Sequence, residues 1–280
     1  MKLILGTAQL CRTYGISARV GDPNSIEYAA ELIQQAELAG FEAIDTASIY
    51  GAAEEAIGLS GTQLEIHTKL DPNLDVLESV EKSLQKLQRN KLDLVYIHNV
   101  ETFMLPGDST LSILDGFRDS LVKKIGVSVY SFPEYLKASK DPRIDVIQVP
   151  HNLFDRRFDG VGGEDLKKVE TEIYARSIFL QGLLLSVPDE YPENLHSLQP
   201  FGVNLELISR RYGISKIEVL VGFSKRFRQF GGMIIGVDSI PDLLKIGSLF
   251  NSTTLEEDLF MELVNFVLPD EDLVDPRKWK

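Results

Sequence analysis

The sequence contains little cysteine and little histidine. Among 280 residues there is one cysteine, Cys11, and four histidines are scattered along the chain. A single cysteine excludes an intramolecular disulfide and a cysteine metal cluster, and the histidine spacing matches no metal-ligand motif. We therefore expect no bound metal and a reducing, cytoplasmic location.

Long apolar runs and an excess of positive charge are absent as well. No stretch reaches the roughly 18 consecutive apolar residues of a membrane-spanning helix, and the apolar block in MKLILGTAQL is too short for a signal peptide. The chain has 29 basic and 42 acidic side chains, a net charge of −13. This balance opposes binding to nucleic acid or to an anionic membrane, so we expect neither as a partner.

The sequence does contain a repeated alternation of short apolar runs and longer segments of helical period. Its 44% apolar and 25% charged residues are typical of a folded globular protein. The segments 26–36 and 77–87 carry apolar residues at helical spacing. Runs typical of buried parallel strands occur at 2–8, 41–47, 64–70, 92–98, 124–129, 145–149, 172–178 and 233–237.

Eight strand and helix repeats indicate an α/β fold in which the strands close into a (β/α)8 TIM barrel. The rival is an open doubly wound sheet, which usually has G-x-G-x-x-G after its first strand, and LGTAQL at 5–10 does not match that motif. No linker-like tract divides the chain. We therefore predict a single domain over 1–280, with a long loop at 185–200 and a C-terminal helix and tail at 253–280.

Polar side chains follow the predicted strands, and in such barrels the reacting groups come from the C-terminal strand ends. Asp45, Lys69 and His98 end three consecutive strands, so we expect them at one rim of the barrel. Tyr50 follows Asp45 in IDTASIYG at 44–51. The other polar residues at strand ends are Thr7, Gln9, Ser128, Gln148, His151, Asn152, Arg176, Ser177 and Asp238.

There is also an ordinary structural explanation for each of the residues Asp45, Tyr50, Lys69 and His98. His98 fits a hydrogen-bonded core histidine, Asp45 and Lys69 fit a structural ion pair, and the ring of Tyr50 fits a cap on the core. Together they permit proton transfer, because a neighbouring ammonium makes a phenol, with its ordinary pKa near 10, a stronger acid. None of these groups carries electrons, so a hydride would have to come from a cofactor.

The motifs around these residues resemble the Asp-Tyr-Lys-His tetrad of the aldo-keto reductase family. Asp45 and Tyr50 lie in D-T-A-x-x-Y-G, Lys69 follows, and His98 lies in D-L-V-Y-I-H-N. Further family landmarks are G-T-A at 6–8, G-V-S at 126–128, Q-V-P-H-N at 148–152 and Q-G-L-L at 181–184.

This resemblance implies a (β/α)8 barrel without metal that interconverts a carbonyl (aldehyde, ketone or sugar derivative) and the alcohol with a nicotinamide cofactor. It implies that Tyr50 is the general acid or base, that Lys69 and Asp45 tune it, and that His98 orients the carbonyl. It also implies cofactor contacts from Gly6, Thr7, Ser128, Gln148, Arg176, Ser177, Gly236, Asp238 and Asp242.

Three cofactor positions depart from the family pattern. Val129 replaces an asparagine, Arg176 replaces an aromatic residue that stacks on the nicotinamide, and Asp242 replaces an arginine that binds the 2′-phosphate of NADP. An aspartate repels a 2′-phosphate and can accept a hydrogen bond from a ribose hydroxyl. We therefore expect NAD(H) or NADP(H) as the cofactor, with NAD(H) slightly favoured.

The substrate pocket is expected to include Tyr14, Phe103 and His151, with Phe154 as a further candidate. The pair Arg156 and Arg157, together with the arginine that ends the seventh strand, favours an anionic or polyhydroxylated substrate. Solvation of that pair at the surface explains the two residues equally well.

Two other functions are compatible with the sequence. A catalytically weak, nucleotide-binding regulatory barrel would explain the unusual residues Val129, Arg176 and Asp242. A lyase or isomerase could use Lys69 as a Schiff-base amine, which requires a neutral lysine, and Asp45 argues against this by stabilising the ammonium.

Overall fold

The computed structural model describes residues 1–11, 25–98, 100–167 and 170–279. Eight parallel strands form a closed barrel in which each strand pairs with the next and the eighth pairs with the first. The predicted TIM barrel is therefore confirmed. The strands are β1 (Lys2–Gly6), β2 (Ala43–Asp45), β3 (Glu65–Lys69), β4 (Leu92–Ile97), β5 (Val122–Ser128), β6 (Val146–Pro150), β7 (Glu172–Arg176) and β8 (Phe230–Gly236).

Helices lie between the strands. Their bounds are α1 (Ile26–Leu38), α2 (Ala53–Ser60), α3 (Val76–Leu87), α4 (Val100–Met104), α5 (Thr110–Gly116), α6 (Phe132–Ser139), α7 (Gln199–Tyr212), α8 (Lys216–Lys225), α9 (Ile240–Ser252) and α10 (Glu257–Val264). The side chain of Ser25 caps the start of α1. No helix in these described ranges is long and apolar enough to cross a membrane.

The buried face of α3 includes only some of the apolar residues at helical spacing in 77–87. Val80 and Leu87 are buried, but Leu77 is 40% exposed, and two serines of the helix are buried instead. The reason is the close approach of α2, since a Cβ on Gly58 would lie 2.3 Å from the carbonyl oxygen of Lys86. Small side chains permit this short distance between the helices.

The stretch predicted as a long loop at 185–200 has regular structure. It forms two 3-10 helices, Pro188–Glu190 and Glu193–Leu198, and the second leads directly into α7. Pro200 lies in the first turn of α7, where its missing N–H group costs no hydrogen bond. The C-terminal stretch contains α10 and the 3-10 helix Pro276–Lys278, and the domain boundaries 1–280 stay a prediction.

Alternate residues of the strands fill the inside of the barrel in layers. At the N-terminal end, Lys2 pairs with Glu65 at 2.7 Å and Lys124 pairs with Glu172 at 2.7 Å. The middle layer contains an apolar and aromatic cluster of Ile4, Ala43, Leu94, Tyr96, Val146, Tyr174 and Ile234, and His67 stacks on the Tyr174 ring. The layer at the C-terminal strand ends is polar, and this layer forms the floor of a cavity.

Candidate active site

A cavity of about 540 Å³ opens at the C-terminal ends of the strands. All of the residues predicted as catalytic or cofactor-binding line it, although they are spread over more than 230 residues of sequence. These residues are Gly6, Thr7, Asp45, Tyr50, Lys69, His98, Ser128, Gln148, Arg176, Ser177, Gly236, Asp238 and Asp242. The barrel topology therefore brings together the groups that the sequence separates.

Lys69 and Asp45 form a buried ion pair at the cavity floor. The Lys69 Nζ atom donates to Asp45 Oδ1 at 2.5 Å and to the carbonyl oxygen of Thr46 at 2.9 Å. Burial lowers the pKa of Lys69, but the charge of Asp45, the neighbouring Tyr50 and the hydrogen bond to Asp45 outweigh burial, and the net pKa is raised. Lys69 is therefore an ammonium, which opposes its use as a Schiff-base amine.

Tyr50 reaches this pair by a turn that follows β2. The Tyr50 N–H group donates to the carbonyl oxygen of Ala47 at 3.0 Å, and Gly51 has a φ of 61° immediately before α2. The Lys69 Nζ atom lies 5.2 Å from the centroid of the Tyr50 ring. The rings of Tyr50 and His98 meet edge to face with centroids 6.4 Å apart. Tyr50 and His98 therefore share one wall of the cavity.

Gln148 connects this wall to the opposite half of the cavity. Its Nε2 atom donates to Asp45 Oδ2 at 2.7 Å, and its Oε1 atom accepts a hydrogen bond from the Ser128 hydroxyl at 2.9 Å. Gln148 is fully buried. The amide that the family resemblance assigns to the cofactor thus also holds the carboxylate that binds Lys69.

Arg176 lines the cavity at the end of β7. Its guanidinium donates to the Ser177 hydroxyl at 3.2 Å and to the carbonyl oxygen of Val129 at 3.0 Å. The Cζ atom lies 4.1 Å from the centroid of the Tyr130 ring. Tyr130 also lines the cavity, and sequence reasoning missed it. An aromatic residue two positions beyond the end of β5 was the signal that could have identified it.

The end of β8 contributes small and acidic residues. Gly6 and Gly236 are partners in the β1 and β8 register, and a Cβ on Gly236 would lie 2.3 Å from the Gln9 side chain. The Ser239 hydroxyl caps α9, accepting from the Asp242 N–H group at 3.2 Å and donating to Asp242 Oδ2 at 2.5 Å. The glycines allow close approach, and the acidic residues suit ligand hydroxyls.

Two predicted substrate residues do not line the cavity, which corrects those predictions. His151 is fully buried and packs against Phe227 and Phe230, with ring centroids 4.5 and 4.6 Å away. It follows β6, whose inward positions include Gln148, so the twofold alternation of a strand turns His151 outward. Phe103 is buried on α4. Tyr14 lies outside the described residues.

The other candidates for the pocket are also engaged elsewhere. Arg156 pairs with Asp159 at 2.5 Å, and Arg157 pairs with Asp155 at 2.8 Å. Phe154 is buried and stacks on the ring of Phe266. The two arginines therefore do not support an anionic substrate. Across the described residues, no group of three or more His, Cys, Asp or Glu side chains is arranged to hold a metal ion.

The sequence model of the aldo/keto reductase family matches residues 2–265. The chain belongs to the aldo/keto reductase family. Among curated aldo/keto reductases, it is 26% identical over 168 residues to YhdN of Bacillus subtilis, covering 52% of this chain and 50% of that protein. It is 34% identical over 134 residues to the methylglyoxal reductase DkgB of Escherichia coli O157:H7, covering 41% of this chain and 45% of that protein. The alignments thus span about half the length of these relatives.

Solved aldo/keto reductase structures share the fold over nearly the whole chain. A glycerol dehydrogenase from Gluconobacter oxydans superposes with a TM-score of 0.71 at 19% identity, covering 94% of this chain and 90% of that one. A Bombyx mori aldo-keto reductase in complex with NADP superposes with a TM-score of 0.67 at 22% identity, covering 94% and 88%. At such identities the likeness shows the fold alone.

Proposed function

We propose that the chain is an NAD(P)H-dependent oxidoreductase that interconverts a carbonyl group of an aldehyde, ketone or sugar derivative and the corresponding alcohol. The observation that supports this most directly is the arrangement of Asp45, Tyr50, Lys69 and His98 at one wall of a cavity. The proposal concerns a small-molecule substrate. It agrees with a cytoplasmic location, which the single Cys11 favours.

The rest of the cavity has groups that fit a nicotinamide dinucleotide. Its volume of about 540 Å³ is that of a small-molecule site. Ser128, Gln148 and Arg176 would hold the nicotinamide end, and Ser177 is next to them. Thr7 and the residues at the end of β8 would hold the remainder. When bound, the cofactor exchanges a hydride with the carbonyl carbon of the substrate.

Tyr50 would exchange a proton with the substrate oxygen. In the direction of reduction its hydroxyl donates that proton, and the remaining phenolate is stabilised by the ammonium of Lys69, 5.2 Å from the ring centroid. Asp45 holds Lys69 charged and in place. His98 would orient the carbonyl, because its ring meets that of Tyr50 edge to face. Alcohol oxidation uses the same groups in reverse.

We favour NAD(H) over NADP(H) as the cofactor. Asp238 and Asp242 line the cavity where the adenosine half of the dinucleotide would lie. Two carboxylates in this place would repel a dianionic 2′-phosphate, whereas they can accept hydrogen bonds from ribose hydroxyls. Asp242 is itself oriented by the hydroxyl of Ser239.

Replacement of Tyr50 by phenylalanine tests the catalytic proposal. Tyr50→Phe removes the proton donor and keeps the ring, so turnover of aldehydes or ketones should fall by roughly 10²-fold to 10⁴-fold. Dinucleotide binding, followed by calorimetric titration, should stay nearly unchanged. Tyr212→Phe, whose hydroxyl contacts Glu262 away from the cavity, is the matched control. Undiminished turnover in Tyr50→Phe would refute the role of Tyr50.

A second candidate function is a nucleotide-binding regulatory barrel with weak catalysis. The observation that favours it is the engagement of both ends of the Gln148 amide, by Asp45 and by Ser128, while Val129 offers no side-chain hydrogen bond to a carboxamide. Measurable dinucleotide binding without turnover of any aldehyde, ketone or sugar would favour this function over the first.

A further inference from the structure

The guanidinium of Arg176 is a fixed positive charge on the cavity wall. Two hydrogen bonds, to Ser177 and to the Val129 carbonyl, hold it. Among the described residues, no carboxylate forms an ion pair with it, whereas Arg156 and Arg157 are both paired. Burial and, to a smaller extent, the charge of Arg176 lower the pKa of Lys69, so this charge acts on the cavity floor.

The ring of Tyr130 packs against the guanidinium of Arg176. The Cζ atoms of Arg176 and Arg277 lie 4.1 and 3.8 Å from the centroid of the Tyr130 ring. Both guanidinium groups therefore pack against this ring. Arg277 pairs with Asp275 at 2.6 Å and does not line the cavity. The Tyr130 ring therefore contacts both the C-terminal tail and Arg176.

The chemistry of the proposed function determines which part of the cavity the nicotinamide occupies. The ends of β2, β3 and β4 carry the proton-transfer groups, so the substrate oxygen lies there. The ring that exchanges the hydride must then lie over the opposite half of the floor, where Ser128, Gln148 and Arg176 line the cavity. This step rests on the proposed function.

We infer that Arg176 makes the cavity distinguish the two oxidation states of the cofactor, so that the reduced dinucleotide binds more tightly than the oxidised one. The oxidised nicotinamide ring carries a positive charge and the reduced ring is neutral. A guanidinium beside the ring repels only the charged form. The ammonium of Lys69 contributes less, because Asp45 balances it at 2.5 Å.

The consequence concerns which cofactor occupies the site. At equal concentrations of the two forms, the reduced dinucleotide occupies most of the sites, and after carbonyl reduction the oxidised product leaves more readily than the reduced form would. The oxidised and reduced forms of one dinucleotide share the same adenosine, ribose and phosphate groups. The contributions that Asp238 and Asp242 make to binding these shared groups therefore cancel in the ratio of the two dissociation constants. The ratio can be measured for NAD(H) and for NADP(H) in the same way.

Calorimetric titration of the full chain with NADH, NAD⁺, NADPH and NADP⁺ tests this inference. In the wild type, the ratio of the Kd of the oxidised form to the Kd of the reduced form should be about tenfold or more. Arg176→Gln should lower that ratio by about tenfold, and Arg176→Lys, which keeps the charge, should retain most of it. Arg277→Gln removes the same charge from a guanidinium that contacts Tyr130 but does not line the cavity, so it should leave the ratio unchanged.

The outcomes separate this inference from the proposed function. A wild-type ratio near one overturns the inference, whether or not the variants fold, and so does an equal ratio in wild type and Arg176→Gln. A chain that binds none of the four nucleotides contradicts the proposed function instead. Circular dichroism of each variant verifies that the barrel is intact.

Discussion

The Gln148 Nε2 atom donates a hydrogen bond to Asp45 Oδ2 at 2.7 Å, which joins β6 to β2 across the inside of the barrel. The other oxygen of Asp45 accepts from Lys69. A single buried carboxylate therefore connects the proton-transfer wall of the cavity to the wall proposed to hold the nicotinamide. A substitution at either wall should therefore affect the side chains of the other.

Loss of the Gln148 amide should destabilise the fold. Gln148→Met leaves Asp45 Oδ2 buried without its hydrogen-bond donor, so the free energy of unfolding should fall by about 1–3 kcal/mol. Urea denaturation measures this change. Ser128→Ala, which removes only the hydrogen bond to Gln148 Oε1, should cost less. An equal decrease in the free energy of unfolding in both variants would show that the lost bond to Asp45 does not account for the destabilisation of Gln148→Met.

The ion pair of Asp45 and Lys69 should behave as a coupled unit. Lys69→Met leaves an uncompensated buried carboxylate and Asp45→Asn leaves a buried ammonium, and each should cost about 3–5 kcal/mol in the free energy of unfolding. The double variant should cost clearly less than the sum of the two. As a control, Lys123→Met breaks an exposed pair with Asp93 and should cost at most about 1 kcal/mol. If the double variant loses as much free energy of unfolding as the two single variants together, Asp45 and Lys69 do not interact as a pair.

The cofactor preference should depend on Asp242. Wild type should bind NADH more tightly than NADPH, and Asp242→Asn should narrow that difference by roughly fivefold to tenfold, because it removes a charge that repels the 2′-phosphate. Asparagine keeps an oxygen for the hydroxyl of Ser239. Calorimetric titration gives both dissociation constants. Glu256→Gln removes an exposed carboxylate outside the cavity and should leave the preference intact, and tighter binding of NADPH by the wild type would contradict the prediction.

Tyr191 should make stability fall at alkaline pH. Burial and the charge of Glu206 raise its pKa from 10 to about 12. A group whose pKa is raised in the folded state stabilises fully below its unfolded pKa, and that contribution is lost as pH rises from about 10 through about 12. The free energy of unfolding of Tyr191→Phe should therefore decline less over this interval than that of the wild type.

The same substitution has a second expected effect at pH 7. The Tyr191 hydroxyl is buried without a hydrogen-bond partner among the described residues, and it packs against Gly202. Its removal should therefore leave stability unchanged or raise it by up to about 1 kcal/mol. Thermal and urea unfolding of both proteins verify this, and a clear loss of stability would show that the hydroxyl is bonded.

The alternation of apolar runs and helical segments was enough to predict the barrel, because each buried parallel strand needs both faces covered. The same alternation located Asp45, Lys69 and His98 at strand ends, and parallel strands place all such ends on one rim. Phe103 and His151 show where this reasoning fails. A place near a strand end does not by itself put a side chain at the cavity, because His151 takes an outward position of the twofold alternation and Phe103 lies on α4.

The sequence by itself determined the fold class, the rim that carries the polar residues and the chemical types at that rim, since these depend on local periodicity and on the order of elements. Only the tertiary structure decided that Gln148 is bonded to Asp45 and that the Tyr130 ring contacts both Arg176 and Arg277. These contacts join segments that are up to 147 residues apart in the chain, as between Tyr130 and Arg277. Such pairs depend on the curvature of the closed barrel and on the path of the tail, and no local pattern encodes either.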